Sequence, residues 1–346
     1  MSGAKQQQAS VERPQAIELL EMITGKWVCQ AIYVAAELGV ADLLRDGPRS
    51  SAEIAKATSA NEDAMYRLLR ALSNVGIFTE RPGRQFELTE LGQYLRSDVP
   101  GTLRGFARFV GFDPSWRAWG HLLHSVRTGE PAFDHVFGMT SFEHAAKNPA
   151  AAAVFNDAMT SISAMEAMAV AMACDFRGIR KLVEVGGGHG LLLATILKAN
   201  PEMEGVLFEM PHAIEGAKSL FQKEGVADRC KVLSGDFFES VPEGGDAYIM
   251  KHIVHDWDDE RSVKILRNCH HAMRPQGKLF VVDAVLPQPN EPHFGKLLDL
   301  EMLVLTQGGR ERTEQDFRKL YEAAGFRLTR IVPTLAQSSV VEGVRV

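Results

Sequence analysis

Hydrophobic residues repeat with two different periods along this chain. Between Ala16 and Leu44 they recur at helical spacing, with Ile17, Leu20 and Ile23 on one face. After Gly178, short apolar runs of strand length alternate with helical segments. The first half therefore predicts a mainly helical domain, and the second half predicts an α/β domain.

A β-hairpin follows the first helices. The segment Ser50–Glu53 matches a capping box that begins a short helix, and Asn61 is a suitable N-cap for the next helix. Two short apolar runs then flank a turn at Pro82 and Gly83. Helices followed by a hairpin are a winged-helix pattern, with Tyr66–Ser73 in the place of a recognition helix.

The winged-helix pattern has two interpretations. A ligand-sensing regulator would bind DNA through Arg67 and Arg70 of the candidate recognition helix, but the chain has a net charge of -6. Apolar residues such as Trp27, Ile32 and Tyr33 crowd the first helices instead, and exposed apolar surface usually meets a partner. The sequence therefore favours a homodimer that forms through the N-terminal helices, and it argues against nucleic-acid binding.

Residues 101–173 continue as helices, and the last of them is rich in methionine. Phe155, Met159 and Ser163 follow one another at four-residue intervals, so they share one helix face. Such a face either fills the core or lines a pocket for a flat apolar molecule.

The second half predicts a parallel sheet with helices on both faces, because strands and helices alternate. The predicted strands cover residues 181–185, 205–210, 230–235, 246–251, 278–286, 326–333 and 339–345. Ligands of such sheets bind beyond the carboxyl ends of the strands, so those ends are the first candidates for a site.

A glycine turn, Gly186–Gly190, follows the first of these strands. Glycine tolerates positive φ and lets a ligand lie against the backbone, although many such turns only connect a strand to a helix. The second strand ends in Glu209, which suits the hydroxyls of a ribose; an exposed strand-end acid is the alternative. The third strand leads to Asp236 and Phe237, which can accept an adenine amino group and pack on a purine.

The spacing of the glycines distinguishes between nucleotides. The turn reads G-x-G-x-G, with Leu191 where a dinucleotide fingerprint has glycine, and no GK[ST] follows it, which excludes a P-loop. Together with the two acids, this spacing indicates S-adenosylmethionine. NAD, in an oxidoreductase, is the second interpretation.

Composition bears on the compartment and the partners. A pI of about 6.0 argues against a nucleic-acid-binding surface. The four cysteines form no CxxC pair, which fits reduced thiols in the cytoplasm. The chain has no run of about 18 apolar residues, so no membrane insertion is expected. Residues 1–15 are polar and predict a disordered lead-in rather than a signal peptide.

Five ordered segments carry a resemblance to a known family. They read VEVGGGHG, LFEMPHAI, SGDFFESVP, KHIVHDWDDE and GGRERTEQDF. The chain resembles the caffeic-acid-type, metal-independent O-methyltransferases, in particular their bacterial natural-product branch, to which acetylserotonin methyltransferases are related. The resemblance covers nearly the whole chain. It implies a Rossmann-like S-adenosylmethionine methyltransferase domain with a mainly helical, winged-helix-like dimerisation domain before it.

The resemblance also implies the roles of individual residues. It implies cofactor contacts from Gly186, Gly188, Glu209, Asp236, Phe237, Lys251 and Ser163. It implies acceptor contacts from Phe155, Met159 and Asp256. It implies that His255 is the general base and that Asp283 and Glu311 flank and orient it.

Two residues depart from the family pattern. Glu209 stands where the family usually has Asp, and Asp283 stands where it usually has Glu. The first change should be tolerated at a ribose. The second would loosen the support of His255 or accommodate a different acceptor.

The chemistry of methyl transfer predicts the same role for His255, independently of the family resemblance. A phenol of pKa about 10 is mostly protonated at neutral pH, and a histidine with a pKa of about 6.5 can take its proton. Asp283 or Glu311 on the other ring nitrogen would fix the tautomer, as the acid of a Ser-His-Asp triad does. No metal is required: His252 and His255 could bind one, but the sequence shows no clear third ligand.

The predicted segments are a lead-in (1–15), a dimerisation domain (16–100), a helical acceptor-pocket region (101–175) and a methyltransferase domain (176–346). The predicted activity moves a methyl group from S-adenosylmethionine to a hydroxyl, phenolic by preference, of a small aromatic or polycyclic natural product. One alternative within the family is a non-aromatic hydroxyl such as that of a carotenoid alcohol. The alternative of another class is the ligand-sensing, winged-helix DNA-binding regulator.

Overall fold

A computed structural model describes residues 14–211, 214 and 216–346 of the chain. It divides into two units between Phe112 and Asp113, so the helices between residues 113 and 175 belong to the same unit as the α/β domain. The segment boundaries at residues 100 and 175 stay predictions about function. The predicted lead-in, residues 1–15, lies outside the described residues except for Pro14 and Gln15.

The described part of the N-terminal unit contains helices and a small sheet with the strand order β1-β3-β2. Its helices are α1 (Gln15–Ile23), α2 (Gly25–Glu37), α3 (Val40–Leu43), α4 (Ser51–Ala57), α5 (Glu62–Asn74) and α6 (Arg104–Gly111). Its strands are β1 (Arg49–Ser50), β2 (Phe78–Arg81) and β3 (Gln85–Leu88), and a 3-10 turn covers Gly92–Leu95.

Side-chain caps begin two of these helices, as the sequence predicts. Ser50 and Glu53 form a reciprocal capping box at α4, and Asn61 accepts the N–H of Ala64 at the start of α5. The antiparallel pairing of β2 with β3 confirms the predicted hairpin. Apolar side chains of α1 and α2 stay on the surface of the unit: Ile17, Leu20, Met22, Ile23 and Trp27 are all exposed.

The C-terminal unit surrounds a seven-stranded sheet with helices. The helices are α7 (Asp113–Trp119), α8 (Leu122–Thr128), α9 (Ala132–Phe137), α10 (Ser141–Lys147), α11 (Pro149–Ala173), α12 (Leu191–Ala199), α13 (Ala217–Lys223), α14 (Asp259–Ala272), α15 (Gly295–Leu305) and α16 (Glu314–Ala323). The strands are β4 (Lys181–Val185), β5 (Glu204–Glu209), β6 (Cys230–Ser234), β7 (Gly245–Lys251), β8 (Met273–Asp283), β9 (Val285–Leu286), β10 (Arg312–Thr313), β11 (Phe326–Pro333) and β12 (Ser339–Arg345). 3-10 turns cover Ala227–Arg229 and Val254–Asp256. Among the described residues, no helix is long and apolar enough to span a membrane.

The large sheet is mixed, so the expectation of a wholly parallel sheet is wrong. Its order is β11-β12-β8-β7-β4-β5-β6, and β12 runs antiparallel to both β8 and β11. Only residues 334–338 separate β11 from β12. Parallel strands need a crossover of a dozen or more residues, so this connection can only make a hairpin.

The strand order reverses direction at β4. From β4 the chain adds β5 and β6 on one side, and it then returns to add β7 and β8 on the other side. All five strands are parallel, and the inner strands β4, β7 and β8 are buried, as at Val183, Ile249 and Val281. Ligands bind at such a reversal point, outside the carboxyl ends of the strands. A short parallel ladder of β9 with β10 brings Arg312 opposite Val285, beyond β8.

Candidate active site

The glycine loop Gly186–Gly190 joins β4 to α12. Gly186 and Gly188 have φ angles of 69° and 56°, in the left-handed region that favours glycine. A Cβ on Gly187 would lie 2.3 Å from Cδ of Glu184, so a side chain there would collide with the buried side chain of Glu184. A Cβ on Gly188 would meet no atom within 4 Å, so the loop presents bare backbone to open space there.

Glu209 ends β5 beside this loop. Its Oε2 accepts the N–H of Gly188 at 2.9 Å, and its Oε1 accepts the N–H of Met210 at 2.7 Å. These bonds fix the carboxylate at the carboxyl edge of the sheet, and each oxygen keeps a lone pair for a further donor. A fixed acid beside open loop backbone suits the hydroxyls of a ribose.

The loop after β6 carries Asp236 and Phe237. Asp236 is exposed, and its Oδ1 accepts the N–H of Phe238 at 2.8 Å. The ring of Phe237 reaches the glycine loop, because its Cε1 would lie 3.7 Å from a Cβ on Gly186. Asn268 donates to the carbonyl oxygen of Phe237 at 2.8 Å and holds this loop in place.

Lys251 ends β7 and contacts a carboxylate of α11. Its Nζ lies 3.2 Å from Oε2 of Glu166, and Nε2 of His252 lies 2.9 Å from both Glu166 oxygens. Burial alone would raise the pKa of Glu166, but His252 and Lys251 outweigh burial and hold that pKa well below its usual range. Ser163 is half-buried three residues earlier on the same helix.

His255 lies in the 3-10 turn after β7 and is 7% exposed. Its Nδ1 lies 2.7 Å from Oε1 of Glu311, which is also buried. An ionised carboxylate can only accept, so Nδ1–H donates this bond and Nε2 is left to take a proton. Asp299 in turn accepts the N–H of Glu311 at 2.8 Å, which fixes the chain beside β10.

The structure places Glu311, and not Asp283, on the other ring nitrogen of His255. Asp283 is fully buried at the end of β8, and its Oδ1 lies 3.6 Å from Nδ1 of His252. Neither oxygen of Asp283 has a hydrogen-bond partner among the described residues. Aspartate reaches one methylene less far than the glutamate of the family pattern, which fits the missing contact with His255.

Three carboxylates face His255. Burial disfavours its imidazolium, but Asp283, Glu311 and Asp256 outweigh burial and raise the pKa of His255 to about 10. Oδ1 of Asp256 lies 3.6 Å from Nε2 of His255, and burial raises the pKa of Asp256 to about 6. In this arrangement His255 holds two protons at neutral pH, so it must release one before it can accept another.

His252, His255 and Asp283 also form a group of metal-ligand types. The sequence showed no third ligand, and the structure brings Asp283 into that position, with the three ligand atoms within 4.8 Å of one another. A tetrahedral zinc ion with bonds of about 2.0–2.1 Å needs ligand atoms about 3.4 Å apart. The absence of a required metal stays a prediction.

The candidate acceptor residues Phe155 and Met159 lie on α11. Val154 and Ala158 of the neighbouring helix face are buried, whereas Phe155 and Met159 are only half-buried. The described residues therefore leave this predicted helix face partly exposed. Asp256, the third candidate acceptor residue, is half-buried beside His255.

Several polar groups of this region escaped the sequence analysis. Glu166 continues the helix face of Phe155, Met159 and Ser163 as a lone acid in an apolar run, and that pattern is a usable signal. Glu184 interrupts β4, and burial raises its pKa to about 8. Glu301 of α15 accepts a hydrogen bond from the indole N–H of Trp119. No spacing pattern in the sequence relates Trp119 to Glu301.

Comparison with known proteins identifies two matching domains. Residues 119–327 match an O-methyltransferase domain, and residues 20–98 match an O-methyltransferase dimerisation domain. The phenazine O-methyltransferase of Lysobacter antibioticus is 46% identical over 324 residues, which cover 94% of this chain and 94% of that protein. The mitomycin biosynthesis 6-O-methyltransferase of Streptomyces lavendulae is 42% identical over 315 residues, which cover 90% of this chain and 89% of that protein.

A solved structure extends the comparison to a bound cofactor. Human N-acetylserotonin methyltransferase, crystallised in complex with S-adenosylmethionine, matches this structure with a TM-score of 0.89 at 28% identity. The match covers 97% of this chain and 99% of the human chain.

Proposed function

Because the chain belongs to the S-adenosylmethionine-dependent O-methyltransferase family, we propose that it methylates an aromatic hydroxyl and that His255 is its general base. The observation that carries the proposal is the buried 2.7 Å bond between Nδ1 of His255 and Glu311. This bond decides which ring nitrogen can receive the proton of the acceptor.

We assign the cofactor to the reversal point of the sheet. S-adenosylmethionine supplies a methyl group that its sulfonium already activates. The residues assigned to it are Gly186, Gly188, Glu209, Asp236, Phe237, Lys251 and Ser163. The open backbone at Gly188 and the fixed carboxylate of Glu209 support this assignment. Lys251 forms an ion pair with Glu166, and it would contact the cofactor while it keeps that pair.

His255 would act on the acceptor oxygen through Nε2. Once Nε2 has released its own proton to solvent, the O–H proton of the acceptor passes to Nε2, while Nδ1–H continues to donate to Glu311 and the carboxylate stabilises the imidazolium. Removing that proton from a phenol of pKa about 10 makes the oxygen a nucleophile at neutral pH. The rest of catalysis is alignment of the acceptor, which we assign to Phe155, Met159 and Asp256.

The acceptor proposed here is a flat polycyclic phenol. The relatives named above act on phenazine and mitomycin frameworks, and the half-buried Phe155 and Met159 offer an aromatic and a polarisable surface. A hydroxyphenazine, a hydroxynaphthoate, a simple phenol and an aliphatic alcohol can be incubated with S-adenosylmethionine at pH 7 and pH 9. We expect methyl transfer to the polycyclic phenols, faster at pH 9, by mass spectrometry. Methylation of the aliphatic alcohol alone would contradict the proposal.

We also propose that two copies pair through α1 and α2, in a reducing cytoplasm. The matched dimerisation domain and the exposed side chains of Leu20, Ile23 and Trp27 support the pairing. An open groove of about 800 Å³, lined in part by Trp27 and Leu68, adjoins these helices. The four free cysteines support the compartment.

The double variant Leu20→Lys, Ile23→Lys tests this pairing. Light scattering should give the wild type about twice the 38.1 kDa chain mass, and the variant should fall to a single chain, because buried charges oppose association. Leu335→Lys, at a side chain that is 89% exposed in the C-terminal unit, is the control and should keep the dimer mass. A single-chain mass for the wild type at micromolar concentration would overturn the homodimer.

A further inference from the structure

His252 has a backbone conformation that its residue type rarely adopts. Its φ is 55°, in the left-handed region, where a side chain with a Cβ is strained. Such strain persists only where the surroundings hold the residue in place, and it is frequent at functional sites. His252 directly follows Lys251, the last residue of β7, and the backbone N–H of His252 donates to the carbonyl of Val282 at 3.0 Å.

The side chain of His252 is held between two carboxylates. Nε2 lies 2.9 Å from both oxygens of Glu166, on α11, and Nδ1 lies 3.6 Å from Oδ1 of Asp283, on β8. Burial disfavours the charged ring and Lys251 opposes it, but Glu166 and Asp283 together raise the pKa of His252 above its ordinary value. The two carboxylates therefore favour the positively charged form of the ring.

The same ring stacks on the candidate base. The ring centroids of His252 and His255 are 4.9 Å apart, and the rings are inclined by 25°. A charge at that distance in a buried site acts strongly on its neighbour.

We propose that His252 is a positioning residue for His255: its charged ring holds the imidazole by stacking and helps it to release a proton. This inference rests on the proposed role of His255 as the base. Asp283, Glu311 and Asp256 all favour the protonated form of His255, whereas a positive charge on the stacked His252 ring would disfavour it. Without that cation burial is left to oppose the carboxylates, and His255 keeps its proton to a higher pH.

Three variants separate the charge of His252 from its packing. His252→Asn removes the charge, and asparagine tolerates the left-handed backbone better than other non-glycine residues. His252→Arg restores a cation at the same position. His271→Asn changes an exposed histidine at the end of α14 and is the matched control.

The test is a pH titration of the imidazole nitrogens by ¹H–¹⁵N NMR on the full-length protein, which needs no acceptor. We expect the pKa of His255 to rise by about one unit in His252→Asn, to return towards the wild-type value in His252→Arg, and to stay unchanged in His271→Asn. Equal shifts in the Asn and Arg variants, or no rise in the Asn variant, would overturn the proposal.

A second variant keeps the test available if His252→Asn does not fold. Glu166→Gln removes the carboxylate that favours the charged ring, so the pKa of His252 should fall and that of His255 should rise in the same spectra. An unchanged His252 titration would contradict the proposed charge. If these shifts occur but a His255 variant methylates at the wild-type rate, the base assignment fails while the coupling between the two rings stands.

Discussion

Replacing His255 with alanine should lower kcat for methyl transfer by about 10²–10⁴-fold, the range that a positioned general base contributes. Nε2 of His255 is the proposed proton acceptor, and the alanine variant has no group to replace it. Initial rates at saturating S-adenosylmethionine, with whichever polycyclic phenol the wild type methylates, measure the loss.

Cofactor binding separates this catalytic effect from misfolding. Isothermal calorimetry should show that His255→Ala binds S-adenosylmethionine within about twofold of the wild type, since His255 is not among the assigned cofactor residues. His271→Ala is the matched control and should keep the wild-type rate, because His271 is exposed on α14. Wild-type activity in His255→Ala would remove the base assignment.

Replacing Glu209 with alanine should weaken the binding of S-adenosylmethionine by about 10–100-fold. A hydrogen bond to a charged group contributes about 1.5–3 kcal/mol, and about 1.4 kcal/mol corresponds to tenfold in affinity. The variant loses the proposed acceptor of the ribose hydroxyls and also the partner of the Gly188 N–H. Calorimetric titration of the full-length protein gives the affinity directly.

Glu204→Ala is the control for the Glu209 variant. Both glutamates lie on β5, but Glu204 is exposed at the amino end of the strand, away from the glycine loop. It should bind S-adenosylmethionine as the wild type does. Equal affinities for Glu209→Ala and the wild type would show that the ribose lies elsewhere.

Short-range patterns in the sequence determined much of the fold. The predicted strands 181–185, 326–333 and 339–345 coincide with β4, β11 and β12. The capping box of Ser50 and the N-cap Asn61 begin their helices as predicted. Periodicity and capping act within a few residues, so one sequence suffices to find them. The glycine spacing and the acids at strand ends likewise indicated S-adenosylmethionine, which the family comparison supports.

Contacts between distant segments required the tertiary structure. The predicted strands 326–333 and 339–345 already left a five-residue connection, but the antiparallel pairing of β12 with β8 emerged only from the structure. Glu311 bonds to Nδ1 of His255 across 56 positions, and the sequence left Asp283 as an equal candidate for that contact. His252 meets Glu166 across 86 positions, because α11 packs beside the end of β7. Sequence spacing does not encode such distances, so residue types predicted the chemistry, but only packing decided which groups contact His255.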